Sequence, residues 1–138
     1  MNRQLFINLP VADLEAARRF YAALGFGFND QFCGDDASCV VVSEAISIML
    51  LTPEKFASFA PRPIARDGIE VLNCLSFDSR EDVDRLVAAG VSAGGATFKE
   101  PIDYGWMYGH SVCDPDGHAW ELMWMDPDGM PEKQAASA

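Results

Sequence analysis

Residues 5–11 are apolar but for Asn8 and read as a buried strand, with Phe6, Asn8 and Pro10 on one face and Ile7, Leu9 and Val11 on the other. Pro10 confines that strand to an edge or makes it the strand's end. The period then lengthens. Leu14, Ala17, Phe20, Tyr21 and Leu24 recur at helical spacing behind a capping Asp13 and ahead of a terminating Gly25. Three short strands are predicted over 26–32, 37–43 and 46–52, separated by the polar turns Gly34-Asp35-Asp36 and Ser43-Glu44. Residues 53–59 suit a short helix, and the proline-bearing stretch that follows reads as a linker.

A second unit repeats the order of the first. A strand over 71–77 leads to Ser79, a cap for a helix bearing Val83, Leu86 and Val87 that is expected to stop at Gly90. Strands are predicted near 96–99, 107–113 and 119–125. At an offset of 66 residues Val11 falls on Phe77, Asp13 on Ser79 and Phe20 on Leu86. A repeat of this kind predicts two βαβββ copies in one α+β domain. Module 1 occupies about 1–60, the linker about 61–69 and module 2 about 70–127, with a flexible tail at 128–138.

Composition narrows the partners. A chain of 138 residues, 49% hydrophobic, can bury roughly two-thirds of its unfolded surface as one domain. A formal net charge of -11 opposes binding to nucleic acid or anionic lipid. The first ten residues hold no apolar run suited to a signal peptide, and no segment approaches the ~18 apolar residues of a membrane span, so a cytoplasmic protein is expected. Cys33, Cys39, Cys74 and Cys113 lack the close pairs of a zinc ribbon or a redox motif and read as reduced thiols.

The chemistry gathers near the C-terminus. Asp114-Pro115-Asp116-Gly117-His118 is a turn that launches Ala119, Trp120, Glu121, Leu122, Met123, Trp124 and Met125. Glu121 stands among six apolar neighbours, and such a charge needs a metal, a hydrogen-bond partner, or a cavity with water or ligand. His118, outside that strand face, is expected to be exposed and idle.

These stretches resemble the vicinal-oxygen-chelate superfamily, which contains glyoxalase I, the extradiol dioxygenases and the bleomycin-resistance proteins. The resemblance rests on Leu9-x-Val11-x-Asp13-Leu14 running into Phe20-Tyr21 and Leu24-Gly25, and on the 114–118 turn followed by Glu121. Phe6 to Val11, Met49-Leu50-Leu51-Thr52, Tyr108-Gly109 and the run from Trp120 to Pro127 are similar to a bacterial lactoylglutathione-lyase-like branch. The resemblance implies two modules curving their sheets, barrel-like, around a concave site, with helices on the convex side, and a homodimer. It also implies metal-ligand places at Phe6, at Leu72, within 48–51 and at Glu121. Of these only Glu121 can bind a metal, so no metal cofactor is expected. The alternative is a divalent Zn, Ni, Fe or Mn ion on an improvised site of Glu121 and His110, with Cys74.

A small-molecule ligand is the expected partner. Candidate ligand contacts are Phe6, Asn8, Leu72, Cys74, Trp106, Tyr108, His110, Glu121 and Met123, with 101–110 as a pocket wall or lid. Three functions follow: a binder of a small, largely apolar molecule, a glyoxalase-type lyase with Glu121 as base, and, ranked last, a ring-cleaving dioxygenase.

Overall fold

The computed structural model describes residues 3–129, so most of the expected tail, from 130 onward, lies outside the described residues. Module 1 comprises strand β1 (Leu5–Pro10), helix α1 (Leu14–Ala23), strands β2 (Gly27–Phe28), β3 (Ala37–Val41) and β4 (Ile46–Leu51), and helix α2 (Pro53–Phe59). Module 2 comprises β5 (Asn73–Ser76), α3 (Arg80–Ser92), β6 (Ile102–Asp103), β7 (Met107–Cys113) and β8 (Ala119–Met125). The sheets run β1-β4-β3-β2 and β5-β8-β7-β6, with the first strand of each module parallel to its last. The repeat seen in the sequence is therefore a repeat of topology.

Local chemistry explains the helices. The Asp13 carboxylate accepts the backbone N–H groups of Glu15 and Ala16, and Ser79 Oγ accepts that of Asp82. Gly25, at φ +94°, lets the chain leave α1. Ala17, Phe20, Tyr21 and Leu24 are buried as the stripe requires, and Val83, Leu86 and Val87 bury the matching face of α3. Both helices pack onto one core, which draws Leu9, Ile48 and Leu50 from module 1 and Val112, Trp120 and Leu122 from module 2.

Gly90 does not end α3, which continues to Ser92. An added Cβ at Gly90 would stand 3.1 Å from Phe20 Cε1 and 3.3 Å from Leu24 Cδ2, so its missing side chain lets the helices approach. The turn away from α3 falls to Gly94, at φ +105°. The strand expected at 96–99 is reduced to one antiparallel bridge, Ala96 to Cys113, and the short strand β6 lies farther on. The strand expected over 26–32 shortens to Gly27–Phe28, because the Asn29 side chain caps a 3-10 turn at Asp30–Phe32.

The 114–118 turn locks the modules together. Asp114 Oδ1 accepts the backbone N–H of Asp116 at 3.0 Å and of His118 at 2.9 Å, and Gly117 closes the turn at φ +90°. Asp114 Oδ2 accepts the Tyr21 hydroxyl at 2.7 Å, and Trp120 Nε1 donates to that hydroxyl at 2.9 Å. Burial raises the Tyr21 and Asp114 pKa values, Tyr21 further through its charged neighbour. Asp116 Oδ1 accepts the Ala12 N–H at 2.9 Å. His118 is not idle: its Nε2 lies 2.7 Å from the Pro10 carbonyl, which can only accept, so that nitrogen carries the proton.

Candidate functional site

Strand parity divides each sheet into a helix-covered face and an open concave face. In module 1, Ile7 and Leu9 turn toward the core, while Phe6 and Asn8 stay exposed beside Ser47 and Met49. In module 2, Leu72 and Cys74 are exposed, and Cys74 pairs across to Glu121 as Asn8 pairs across to Met49. Met49 is thus the module 1 counterpart of Glu121. The four family places are a phenylalanine, a methionine, a leucine and one carboxylate.

That carboxylate is already engaged. Lys99 Nζ lies 2.8 Å from Glu121 Oε1, and Ser111 Oγ donates to Glu121 Oε2 at 2.6 Å. Burial alone would raise the Glu121 pKa, but the Lys99 ammonium and the Ser111 hydroxyl outweigh it and hold the group below its ordinary value. Cys74 is held as a thiol, its pKa raised by burial and then by the nearby Glu121 charge.

Ser111 and Glu121 share a face, so His110, paired with buried Leu122, points to the other side of the sheet. Its Nδ1 approaches Asp84 of α3 only to 4.0 Å and has no hydrogen-bond partner. Tyr108 lies on the same side and donates to Asp84 Oδ1 at 2.5 Å. Met123 shares the concave face with Glu121, opposite Gly109. Trp106 stacks on Tyr104 with ring centroids 6.4 Å apart. The improvised set of Glu121, His110 and Cys74 is therefore split between two faces. Among the described residues, no three His, Cys, Asp or Glu side chains are grouped to hold a metal ion. The donor set does not fit the family's metal, since three places lack suitable donors and the fourth already holds an ammonium.

The concave face of module 1 differs. Phe6, Asn8, Phe32, Met49, Lys55 and Phe59 line a cavity of about 380 Å³ whose exposed lining is almost wholly apolar. Phe6, Phe32 and Phe59 are 45%, 55% and 68% exposed. Three large apolar side chains left open around one hollow form a contiguous exposed apolar patch, which scattered single residues would not. Thr52 caps α2, its Oγ1 accepting the Lys55 N–H at 3.3 Å, and Pro53 opens the helix, so α2 sets both Lys55 and Phe59 on the rim.

The sequence offered Phe6 and Asn8 as candidate contacts, and both line this cavity. It did not offer Phe32, Lys55 and Phe59, for which the signal available was a phenylalanine at each end of the segment around module 1's last strands. Two further hollows, of about 210 and 670 Å³, lie where the linker crosses the 114–118 turn. Their walls are mainly loop residues such as Gly68, Ile69, Gly117 and His118, with a more mixed polar surface.

Residues 3–43 match the sequence model described as bleomycin resistance protein-like N-terminal. Among solved structures, a hypothetical protein from S. aureus is 29% identical with a TM-score of 0.76, covering 90% of this chain and 94% of that one. A glyoxalase/bleomycin resistance protein from Albidiferax ferrireducens is 26% identical with a TM-score of 0.67, covering 86% and 95%. A glyoxalase/bleomycin resistance protein/dioxygenase family enzyme from Burkholderia phytofirmans, 21% identical with a TM-score of 0.73 over 87% and 96%, shares the fold. Among curated proteins, none matches the chain in sequence. Among the described residues no helix is long and apolar enough to cross a membrane.

Proposed function

We infer from the match at residues 3–43 and from the shared fold that the chain belongs to the vicinal-oxygen-chelate superfamily, and we propose that it binds a small, largely apolar molecule on the concave face of module 1, without a metal. The observation that carries this reading is the cluster of exposed Phe6, Phe32 and Phe59 around a cavity of about 380 Å³, near the lower end of the range for small-molecule pockets. That lining holds no His, Asp, Glu or Cys side chain, which favours binding over turnover.

A glyoxalase-type lyase with Glu121 as base is the competing reading. In its favour, Lys99 and Ser111 keep Glu121 ionised, although the same contacts lower its pKa and so weaken it as a base. Against it, both carboxylate oxygens are occupied and Glu121 lines none of the hollows described above.

The test is an amide chemical-shift titration with 2-naphthalenemethanol. Shifts centred on Phe6, Phe32 and Phe59, lost in Phe59→Ser, support the binder. Shifts centred on Ser111 and Glu121 would move the site to module 2. Elemental analysis finding about one zinc, nickel, iron or manganese per chain, lost in Glu121→Ala, would overturn the metal-free reading. We further infer a homodimer, supported by the exposed Leu5, Ile69, Val71 and Leu72 beside the edge strands β1 and β5. Sedimentation as a monomer at micromolar concentration would remove it.

A further inference from the structure

We propose that the module 1 cavity selects an aromatic molecule carrying one negative charge, such as an aryl carboxylate, an inference that rests on reading that cavity as the ligand site. Three phenylalanines supply the first half of the argument. Phe6 projects from β1, Phe32 from the 3-10 turn and Phe59 from the end of α2, so ring faces or edges are offered from three elements around one hollow. Flat rings gain beyond simple burial when they stack or meet edge to face with other rings at 4.5–7 Å between centroids. Met49 adds a polarisable wall that adapts to ring edges.

Charge supplies the second half. Lys55 is the one charged side chain lining the cavity among the described residues. Its Nζ lies 5.4 Å from the Phe59 ring centroid, so the ammonium sits at the rim beside the ring on which a ligand would pack. The nearest competitor is the Asp36 carboxylate at 3.9 Å, and both side chains are about half exposed. An exposed ion pair at that distance contributes little, so an incoming carboxylate can displace it at small cost. Asn8 spends an amide hydrogen on the Phe6 carbonyl at 3.2 Å, which leaves Lys55 as the charged anchor of the lining.

The protein's net charge of -11 works against an anion at long range. At physiological salt, however, charges farther away than about 8 Å are largely screened, so the local ammonium decides once the ligand is seated. Low salt should weaken the preference, because the distant carboxylates then contribute.

The test compares 2-naphthoate, 2-naphthalenemethanol and 2-naphthylmethylammonium by amide chemical-shift titration of the full chain at 0.15 M salt. The expected result is that naphthoate binds about fivefold more tightly than the alcohol, and the ammonium more weakly than either. Lys55→Met should remove the advantage of naphthoate while the alcohol keeps its affinity, Lys55→Arg should retain it, and Asp36→Asn should widen it. Equal or tighter binding of the alcohol or the ammonium, or a naphthoate preference that survives Lys55→Met, would overturn the anion selectivity and leave the cavity itself intact as a binding site. If none of the three compounds shifts the Phe6, Phe32 and Phe59 amides, the binding site falls, and the selectivity with it.

Discussion

Lys99 reaches Glu121 from a loop, its Nζ 2.8 Å from Oε1, and neutralises the one carboxylate that the last strand carries into the concave face. Burial pushes the Glu121 pKa up, and the Lys99 ammonium together with the Ser111 hydroxyl brings the folded value below the ordinary one. A lowered carboxylate pKa stabilises the fold above the unfolded value of 4.5, and that stabilisation is lost as pH falls through the folded value. Lys99→Met should therefore cost about 1 kcal/mol or less at pH 7, since the lysine is substantially exposed, and the gap to the wild type should narrow below about pH 4. Urea unfolding at pH 7 and pH 3 reads both numbers. A gap that does not change with pH would mean that Lys99 acts through packing instead.

The Tyr21 hydroxyl joins the modules by donating to Asp114 and accepting from Trp120. Tyr21→Phe keeps the ring packed and strands a buried indole N–H, at an expected cost of about 1–3 kcal/mol. The same change deprives Asp114 of one hydrogen bond to its charged form. Its pKa, already raised by burial, should rise further. A raised carboxylate pKa contributes stability below the unfolded value that is lost as pH rises through the folded one, so the mutant's deficit should grow with pH across that window. Urea titrations from pH 3 to pH 7 check the trend.

Gly90 and Gly95 both face Phe20, but with different room. At Gly95 an added Cβ would stand 2.5 Å from the Cys113 carbonyl oxygen and 3.0 Å from that of Gly90, and backbone cannot rotate away. Gly95→Ala should destabilise by roughly 1–3 kcal/mol. At Gly90 the neighbours are side-chain carbons at 3.1–3.4 Å, and alanine brings a helix-propensity gain of about 1 kcal/mol that offsets part of the strain. Thermal melts should rank Gly95→Ala well below Gly90→Ala.

Arg80 grips Asp103 through two parallel bonds of 2.8 and 2.9 Å and also donates to the Gly105 carbonyl at 2.8 Å. Its hydrogen bonds hold the Asp103 pKa at about 2. In Arg80→Ala the Asp103 carboxyl resonance should titrate well above that, toward the ordinary 3.8. The contribution of this contact is present above the ordinary value and lost as pH falls through about 2. An unchanged midpoint would mean that the Gly105 N–H, which Asp103 also accepts, suffices alone.

Periodicity and capping made most of the architecture legible. Asp13 and Ser79 advertise helix starts through short-range chemistry, and strand parity sets Phe6 and Asn8 on one face of β1 against Ile7 and Leu9 on the other, while the family resemblance told which face is open. Effects set by the partner of a residue were not legible. Gly90 looks like a helix stop because a glycine's sequence signature is the same whether it ends a helix or admits a neighbour such as Phe20. His110 could be assigned a face only once Ser111 was known to pair with Glu121, since one residue of register reverses every side chain. Lys99 lies in a segment that resembled a strand, and the ion pair it makes spans a loop whose path no local pattern dictates.

The repeat is not uniform along its length. Cys74 follows Asn8 by 66 residues, whereas Glu121 follows Met49, its counterpart by pairing, by 72. Six extra residues therefore lie in module 2 ahead of β8: three lengthen α3, which has 13 residues against the 10 of α1, and the rest fall between α3 and β8, in the stretch that carries Lys99 across to Glu121. Module 1 has no such insertion; it carries α2 beyond its last strand, with Lys55 and Phe59 on the rim of an open hollow. The two modules thus differ in where they carry extra chain. Length before the last strand brings module 2 a counter-ion for its own carboxylate, and length after it gives module 1 a wall beside an open hollow.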